Sequence, residues 1–220
     1  MIKGIIFDLD GVITDTAILH YQSWAKVIKQ FDIDYTFADN ELLRGLPRIE
    51  TLKAILKLKK PSLQLNNSKL LEVSEQKNLF YKELLQTQIN EKSILPGITK
   101  FLSDAKNKNL KLAIASSSYN APTILEKLGI INLFDYIVYP GDIKNGKPAP
   151  DIFIKAAAGL SLDVSECFGI EDAVAGIQGI KDAKMKAVAI TANTEEFKNA
   201  DIVLTSTSQL NLDTILAKFN

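Results

Sequence analysis

The sequence predicts an α/β protein: a Rossmann-like parallel-sheet core with helices on both faces and an inserted helical-bundle cap. Three observations point there. Short apolar runs rich in β-branched and aromatic residues recur along the chain with helical patterns between most of them, the alternation of βαβ units and of a sheet covered on both faces. Between the first such run and Pro96 the pattern is helical only. Finally, 220 residues are many for one domain and few for two, which fits a principal domain with a modest insertion. The expected division is a core of residues 1–14 and 92–220 and a cap of residues 15–91.

Taken in order, Ile5 to Phe7 reads as a buried strand that runs out into Asp8-Leu9-Asp10-Gly11. Trp24, Val27, Ile28 and Phe31 then form one helical stripe, and Leu52, Ile55 and Leu56 another. Beyond Pro96-Gly97, the spacing of Ile98, Phe101, Leu102 and Ala105 predicts an amphipathic helix. Leu110 to Ala115 is the next strand. Asn120 and Pro122 supply the cap and first turn of a helix stopped by Gly129. Tyr136 to Tyr139 follows as a strand, and Asp151 is positioned to cap a helix that Gly159 ends. Glu166 to Ile170, Ala187 to Ile190 and Ile202 to Leu204 complete the strands, with Gly176 and Gly179 assigned to close helix packing. An insertion after the first strand is expected to lie over the carboxyl end of the sheet and to act as a lid.

Composition narrows the function. The chain is 46% hydrophobic with a formal net charge of zero, which favours a small-molecule partner over nucleic acid. The single cysteine, Cys167, lies in the run Cys167-Phe168-Gly169-Ile170 and is expected to be a buried strand residue. Lys3 is the only charged residue before the first apolar stretch, and no apolar run is long enough to cross a bilayer. The expectation is a cytoplasmic protein, monomeric, without a membrane or nucleic-acid partner.

The chemistry-bearing residues cluster at strand ends, where open α/β sheets bind ligands. Asp8 and Asp10 are two apart on an extended segment, so they project to the same side, and Gly11 permits a sharp turn close to a ligand. A solvated turn uses the same residues. Ser116, Ser117 and Ser118 end one strand, as a loop also would. In Gly146-Lys147-Pro148-Ala149-Pro150 the prolines restrict the backbone around one lysine. Glu171 and Asp172 follow another apolar strand and either favour a helix N-terminus or complete a hard oxygen site. In the cap, Arg44-Gly45-Leu46-Pro47-Arg48 sets two cations around a tight turn.

The run from Phe7 to Thr16 resembles the first motif of the haloacid dehalogenase superfamily of phosphotransferases, in its β-phosphoglucomutase-like branch, and the resemblance extends over nearly the whole chain. It implies that Asp8 is the nucleophile and Asp10 the general acid and base; that Asp8, Asp10, Glu171 and Asp172 hold Mg²⁺; and that Ser116, Ser117 and Lys147 bind the transferring phosphoryl group. His20, Trp24, Gly45, Arg48, Thr51, Lys77, Ser118 and Asn120 fall at substrate or cap positions, with packing the competing role for Trp24. Arg48 is the candidate clamp for a non-transferring phosphate. Tyr119 stands where related mutases carry a basic residue. The implied activity interconverts β-D-glucose 1-phosphate and glucose 6-phosphate through an aspartyl phosphate and glucose 1,6-bisphosphate. A Mg²⁺-dependent sugar-phosphate phosphatase uses the same motifs and is the alternative; a non-catalytic phospho-acceptor module is the remoter one.

Overall fold

A computed structural model describes residues 1–220. Six strands, β1 (Gly4–Phe7), β2 (Lys111–Ile114), β3 (Tyr136–Ile137), β4 (Cys167–Glu171), β5 (Lys186–Ile190) and β6 (Ile202–Leu204), form one sheet in the order β3-β2-β1-β4-β5-β6. Every pairing is parallel. The first strand is therefore central, with Gly4–Phe7 in register against Lys111–Ile114 on one side and Cys167–Ile170 on the other. Because all strands run the same way, the segments that follow β1, β2 and β4 emerge at one edge.

The central strand is fully buried, as its unbroken apolar sequence requires of a strand covered on both faces. Successive residues face opposite layers. Ile6 belongs to a cluster with Ile152, Phe153 and Ala156 of helix α7 (Asp151–Gly159) and Ile177 and Ile180 of helix α8 (Val174–Asp182). Phe7 instead packs edge-on against Phe101 of helix α5 (Ile98–Asn107), with ring centres 6.1 Å apart. The stripe Ile98, Phe101, Leu102 and Ala105 is the buried face of α5. Cys167 is buried in β4, and burial pushes its thiol pKa up to about 12.

The chain divides into two compact units, Met1–Asp15 with Asn90–Asn220, and Thr16–Ile89. The second is helical throughout: α1 (Ala17–Ile28), α2 (Phe37–Leu42), α3 (Arg48–Lys59) and α4 (Asn67–Gln88). Trp24, Val27 and Ile28 pack there with Leu52, Ile55, Leu56, Leu70 and Val73. Trp24 is thus a core residue of this unit. No helix is long and apolar enough to cross a membrane.

Two expected elements differ. The run Tyr136–Tyr139 is a strand only at Tyr136–Ile137; the N–H of Val138 still donates to the Ile114 carbonyl, and Pro140, which has no N–H, opens a 3₁₀ turn at Pro140–Asp142. Asp151 is the first residue of its helix rather than its cap; its carboxylate accepts hydrogen bonds from the backbone and side-chain amides of Asn145.

Candidate active site

The loop after β1 is shaped by its own backbone. Gly11 adopts φ +83°, a left-handed conformation that a side chain would disfavour. Its N–H donates to the carbonyl of Thr14 at 2.6 Å, and the N–H groups of Ile13 and Thr14 both return to Leu9. Thr14 is then fastened by its hydroxyl to the Ser93 carbonyl, 2.7 Å away. The turn is closed on itself, which fixes where Asp8 and Asp10 leave the strand.

Lys147 reaches Asp8 from the far side of the sequence. Its Nζ lies 2.6 Å from Asp8 Oδ1 and 2.5 Å from Glu171 Oε1. The second oxygen of Glu171 accepts from the backbone N–H groups of Asp172 and Ala173 at 2.8 and 2.9 Å. Glu171 is only 1% exposed, so both oxygens are desolvated and both are occupied. Gly176 makes the room: a methyl group there would overlap the Glu171 carboxylate. That function, not helix packing, is the tight constraint at Gly176. Gly179 does serve packing, since a Cβ would press on Phe153 and on the Pro148 carbonyl.

Charge crowding shows in the proton affinities. Burial, together with the negative charges of Glu171 and Asp10, lifts the Asp8 carboxyl to about 7 despite the attraction of Lys147. Burial alone would lower Lys147, but the carboxylates of Asp8 and Glu171 outweigh it and hold the ammonium protonated above the ordinary lysine range. One lysine therefore faces more negative charge than it neutralises.

Oxygens of Asp8, Glu171 and Asp172 come within 4.8 Å of one another. Hard carboxylate oxygens converging on one point suit a divalent cation such as Mg²⁺, so the donor set fits a metal. Asp10 is the fourth acid of the set expected from the sequence. It is half-buried at the loop, where its backbone bridges to Thr14.

The edge beyond β2 brings further groups. Ser116 is buried, and its Oγ accepts from the N–H of Ser118; the Oγ of Ser118 in turn accepts from the N–H of Asn120. This chain of serine turns leads into helix α6 (Ala121–Lys127). Ser117 is exposed.

The helical unit holds a second polar group of its own. Lys77 is 2% exposed, with Nζ 2.8 Å from His20 Nδ1 and 4.4 Å from the centre of the Tyr81 ring. The Tyr81 hydroxyl meets that of Thr16 at 2.8 Å. Burial, then the positive charges of Lys77, Arg44 and Arg48, holds His20 well below the usual imidazole range. Thr51 donates to the Leu46 and Pro47 carbonyls, which ties down the turn around Gly45. Arg48 Nη1 pairs with Glu75 Oε1 at 2.8 Å.

Sequence reasoning missed three of these partners. The burial of Lys77 had a visible signal: Leu70, Val73, Lys77, Tyr81 and Leu85 recur at helical spacing, which sets a lysine inside an apolar stripe. Glu75 gave none, lying 27 residues from Arg48. The contact between Gly176 and Glu171 depends on how α8 leaves β4.

Comparison with known proteins gives a consistent picture. Residues 5–190 match the family described as haloacid dehalogenase-like hydrolase. The chain is 43% identical over 211 residues to β-phosphoglucomutase of Bacillus subtilis, covering 96% of this chain and 92% of that one. A crystal structure of β-phosphoglucomutase from Clostridium difficile superposes with a TM-score of 0.93 at 43% identity, covering 100% and 98% of the two chains. A phosphorylated carbohydrates phosphatase of Thermotoga maritima is 28% identical, covering 84% of this chain and 83% of that one.

Proposed function

The chain belongs to the haloacid dehalogenase-like hydrolase family, and on that premise we propose that it is a β-phosphoglucomutase-like isomerase interconverting β-D-glucose 1-phosphate and glucose 6-phosphate. The observation that carries the phosphotransfer chemistry is Lys147 spanning Asp8 and Glu171 at the end of the central strand. The mutase is favoured over the phosphatase by the 43% identity, over nearly the whole chain, to a β-phosphoglucomutase, against 28% to the phosphatase.

Asp8 attacks phosphorus as a carboxylate, the bond from phosphorus to the sugar oxygen breaks, and an aspartyl phosphate forms. Two anions must meet in that step, so positive charge has to be in place beforehand. Lys147 supplies one such charge at Asp8. Asp8, Glu171 and Asp172 are the carboxylates that would hold Mg²⁺, and Glu171 also fixes Lys147 beside Asp8. When bound, the cation neutralises the phosphoryl oxygens and the nucleophile. Ser116 and Ser117 donate hydrogen bonds to the same phosphoryl group.

Asp10 is the general acid and base. It takes the proton from the C6 hydroxyl of β-glucose 1-phosphate as phosphoryl passes from Asp8 to that oxygen, giving glucose 1,6-bisphosphate. The bisphosphate turns over, Asp8 attacks the C1 phosphate, and Asp10 returns the proton to the departing C1 oxygen. Glucose 6-phosphate leaves and Asp8 is phosphorylated again. Arg48 is the contact for the phosphate that is not transferred, and Ser118 and Asn120 are further sugar or phosphate donors.

The test is a coupled assay on β-glucose 1-phosphate with Mg²⁺ and a trace of glucose 1,6-bisphosphate, following glucose 6-phosphate and inorganic phosphate in parallel. Glucose 6-phosphate without matching phosphate release is the expected result; phosphate release without the isomer would make the chain a phosphatase.

A further inference from the structure

Arg44 and Arg48 are the only arginines among 26 basic residues, and both flank one turn. Lysine evidently suffices for surface charge elsewhere. A guanidinium differs in presenting a planar fork of donors matched to carboxylate and phosphate oxygens. Both forks already meet carboxylates. Arg44 Nη1 lies 3.5 Å from Glu41 Oε2, and Arg48 Nη1 lies 2.8 Å from Glu75 Oε1 with a longer contact of 3.4 Å to the Ser74 carbonyl. Glu41 is a near neighbour of Arg44 on the preceding helix, but Glu75 comes from the middle of α4. The Arg48 side chain is 25% exposed and that of Glu75 is 67% exposed, so the pair is open to exchange with a ligand.

We propose that Glu75 is a positioning residue that occupies Arg48 until a substrate phosphate displaces it, and that it thereby sets which anions the cap accepts. The inference rests on the reading of Arg48 as the contact for the non-transferring phosphate. Glu75 offers one negative charge and two oxygens. A phosphate dianion offers twice the charge and three oxygens, so it wins the guanidinium; a monoanion has no such advantage. Discrimination then comes from competition inside the protein as well as from attraction to the ligand. Exposed ion pairs are weak, and an exchange of this kind costs the substrate about 1.4- to 5-fold in affinity. That is small enough for substrate to overcome and large enough to measure.

The experiment compares wild type, Glu75→Gln, Arg48→Ala and the double variant with β-glucose 1-phosphate as the probe, recording KM, kcat and the thermal midpoint. Glu75→Gln is expected to lower KM about 1.4- to fivefold, to raise kcat/KM by a similar factor, and to do neither in the Arg48→Ala background. An unchanged or higher KM in Glu75→Gln, with or without a lower thermal midpoint, would mean that the pair is only structural and overturns the proposal. An equal gain with Arg48 absent would also overturn it, since the effect would then be the field of a deleted charge and not exchange at the guanidinium. If Arg48→Ala itself leaves KM unchanged while Glu75→Gln lowers it, the assignment of Arg48 fails instead, and the exchange falls with it.

Discussion

Lys77 donates to His20: the ammonium lies 2.8 Å from Nδ1, the geometry of a cation held by a neutral imidazole whose proton sits on Nε2. Burial and three nearby cations keep that imidazole unprotonated well below its ordinary range. Unfolding releases His20 to its ordinary proton affinity, so below about pH 6.5 the unfolded chain binds a proton that the folded chain refuses. Stability from this group is complete above that pH and is lost as pH falls. We expect the unfolding free energy of wild type, from urea melts, to drop between pH 7.5 and 5 with a slope of up to about 1.4 kcal/mol per pH unit from His20. In His20→Asn that part of the slope should vanish; an identical profile in the variant would show that His20 does not titrate on unfolding.

Asp8→Asn should separate activity from stability. Removing the nucleophile is expected to lower turnover by at least about a thousandfold. Yet the Asp8 carboxyl, lifted to about 7 in the folded protein, is a group whose ionisation opposes folding as pH rises from about 4 to above 7. Measured at pH 8 with a chelator present, Asp8→Asn should be more stable than wild type by roughly 1–3 kcal/mol, and the gap should close towards pH 4. Lys147 keeps Glu171 as its partner in the variant.

Asp10 carries a different task at nearly the same place. Its replacement by Ala should lower kcat about a hundredfold or more. Phosphorylation of Asp8 from a donor with a good leaving group, such as acetyl phosphate, needs no protonation of the leaving oxygen and should survive far better. Equal losses in both reactions would argue against Asp10 as the acid and base.

Metal removal gives a binding readout that does not depend on turnover. Three acids whose oxygens lie within 4.8 Å repel one another, so Mg²⁺ at a hundred times its dissociation constant should stabilise the fold by about 2.7 kcal/mol. Asp172→Asn should shrink that increment. No thermal shift with Mg²⁺ in wild type would count against the site.

Gly176→Ala probes the support beneath the acids. The added methyl overlaps the Glu171 carboxylate, which cannot move without loosening Lys147 or the amides of Asp172 and Ala173. Overpacking of this kind costs about 1–3 kcal/mol. We expect kcat/KM to fall at least about tenfold with the secondary structure unchanged by circular dichroism.

The sheet was legible because each strand is a short apolar run ended by a polar or small residue, and α5 because its four apolar positions follow one helical face. The limits came where neighbours in space decide. β3 is shorter than its apolar run, and the chain turns at Pro140–Asp142 soon after it. Asp8 and Lys147 are 139 residues apart, so their pairing is invisible to spacing and came from the resemblance of motifs. For Glu171, sequence supplied the carboxylate but not the fact that a lysine and two amides already claim it.

Cys167 has a practical consequence. It is the only thiol in the chain and it is buried, with burial raising its pKa to about 12, so thiolate reagents at neutral pH have nothing to attack in the folded protein. A single cysteine introduced at any exposed position would then be the sole reactive handle. Fluorophores or spin labels can be attached to either unit of the wild-type background, with no need to remove a native cysteine from the centre of the sheet.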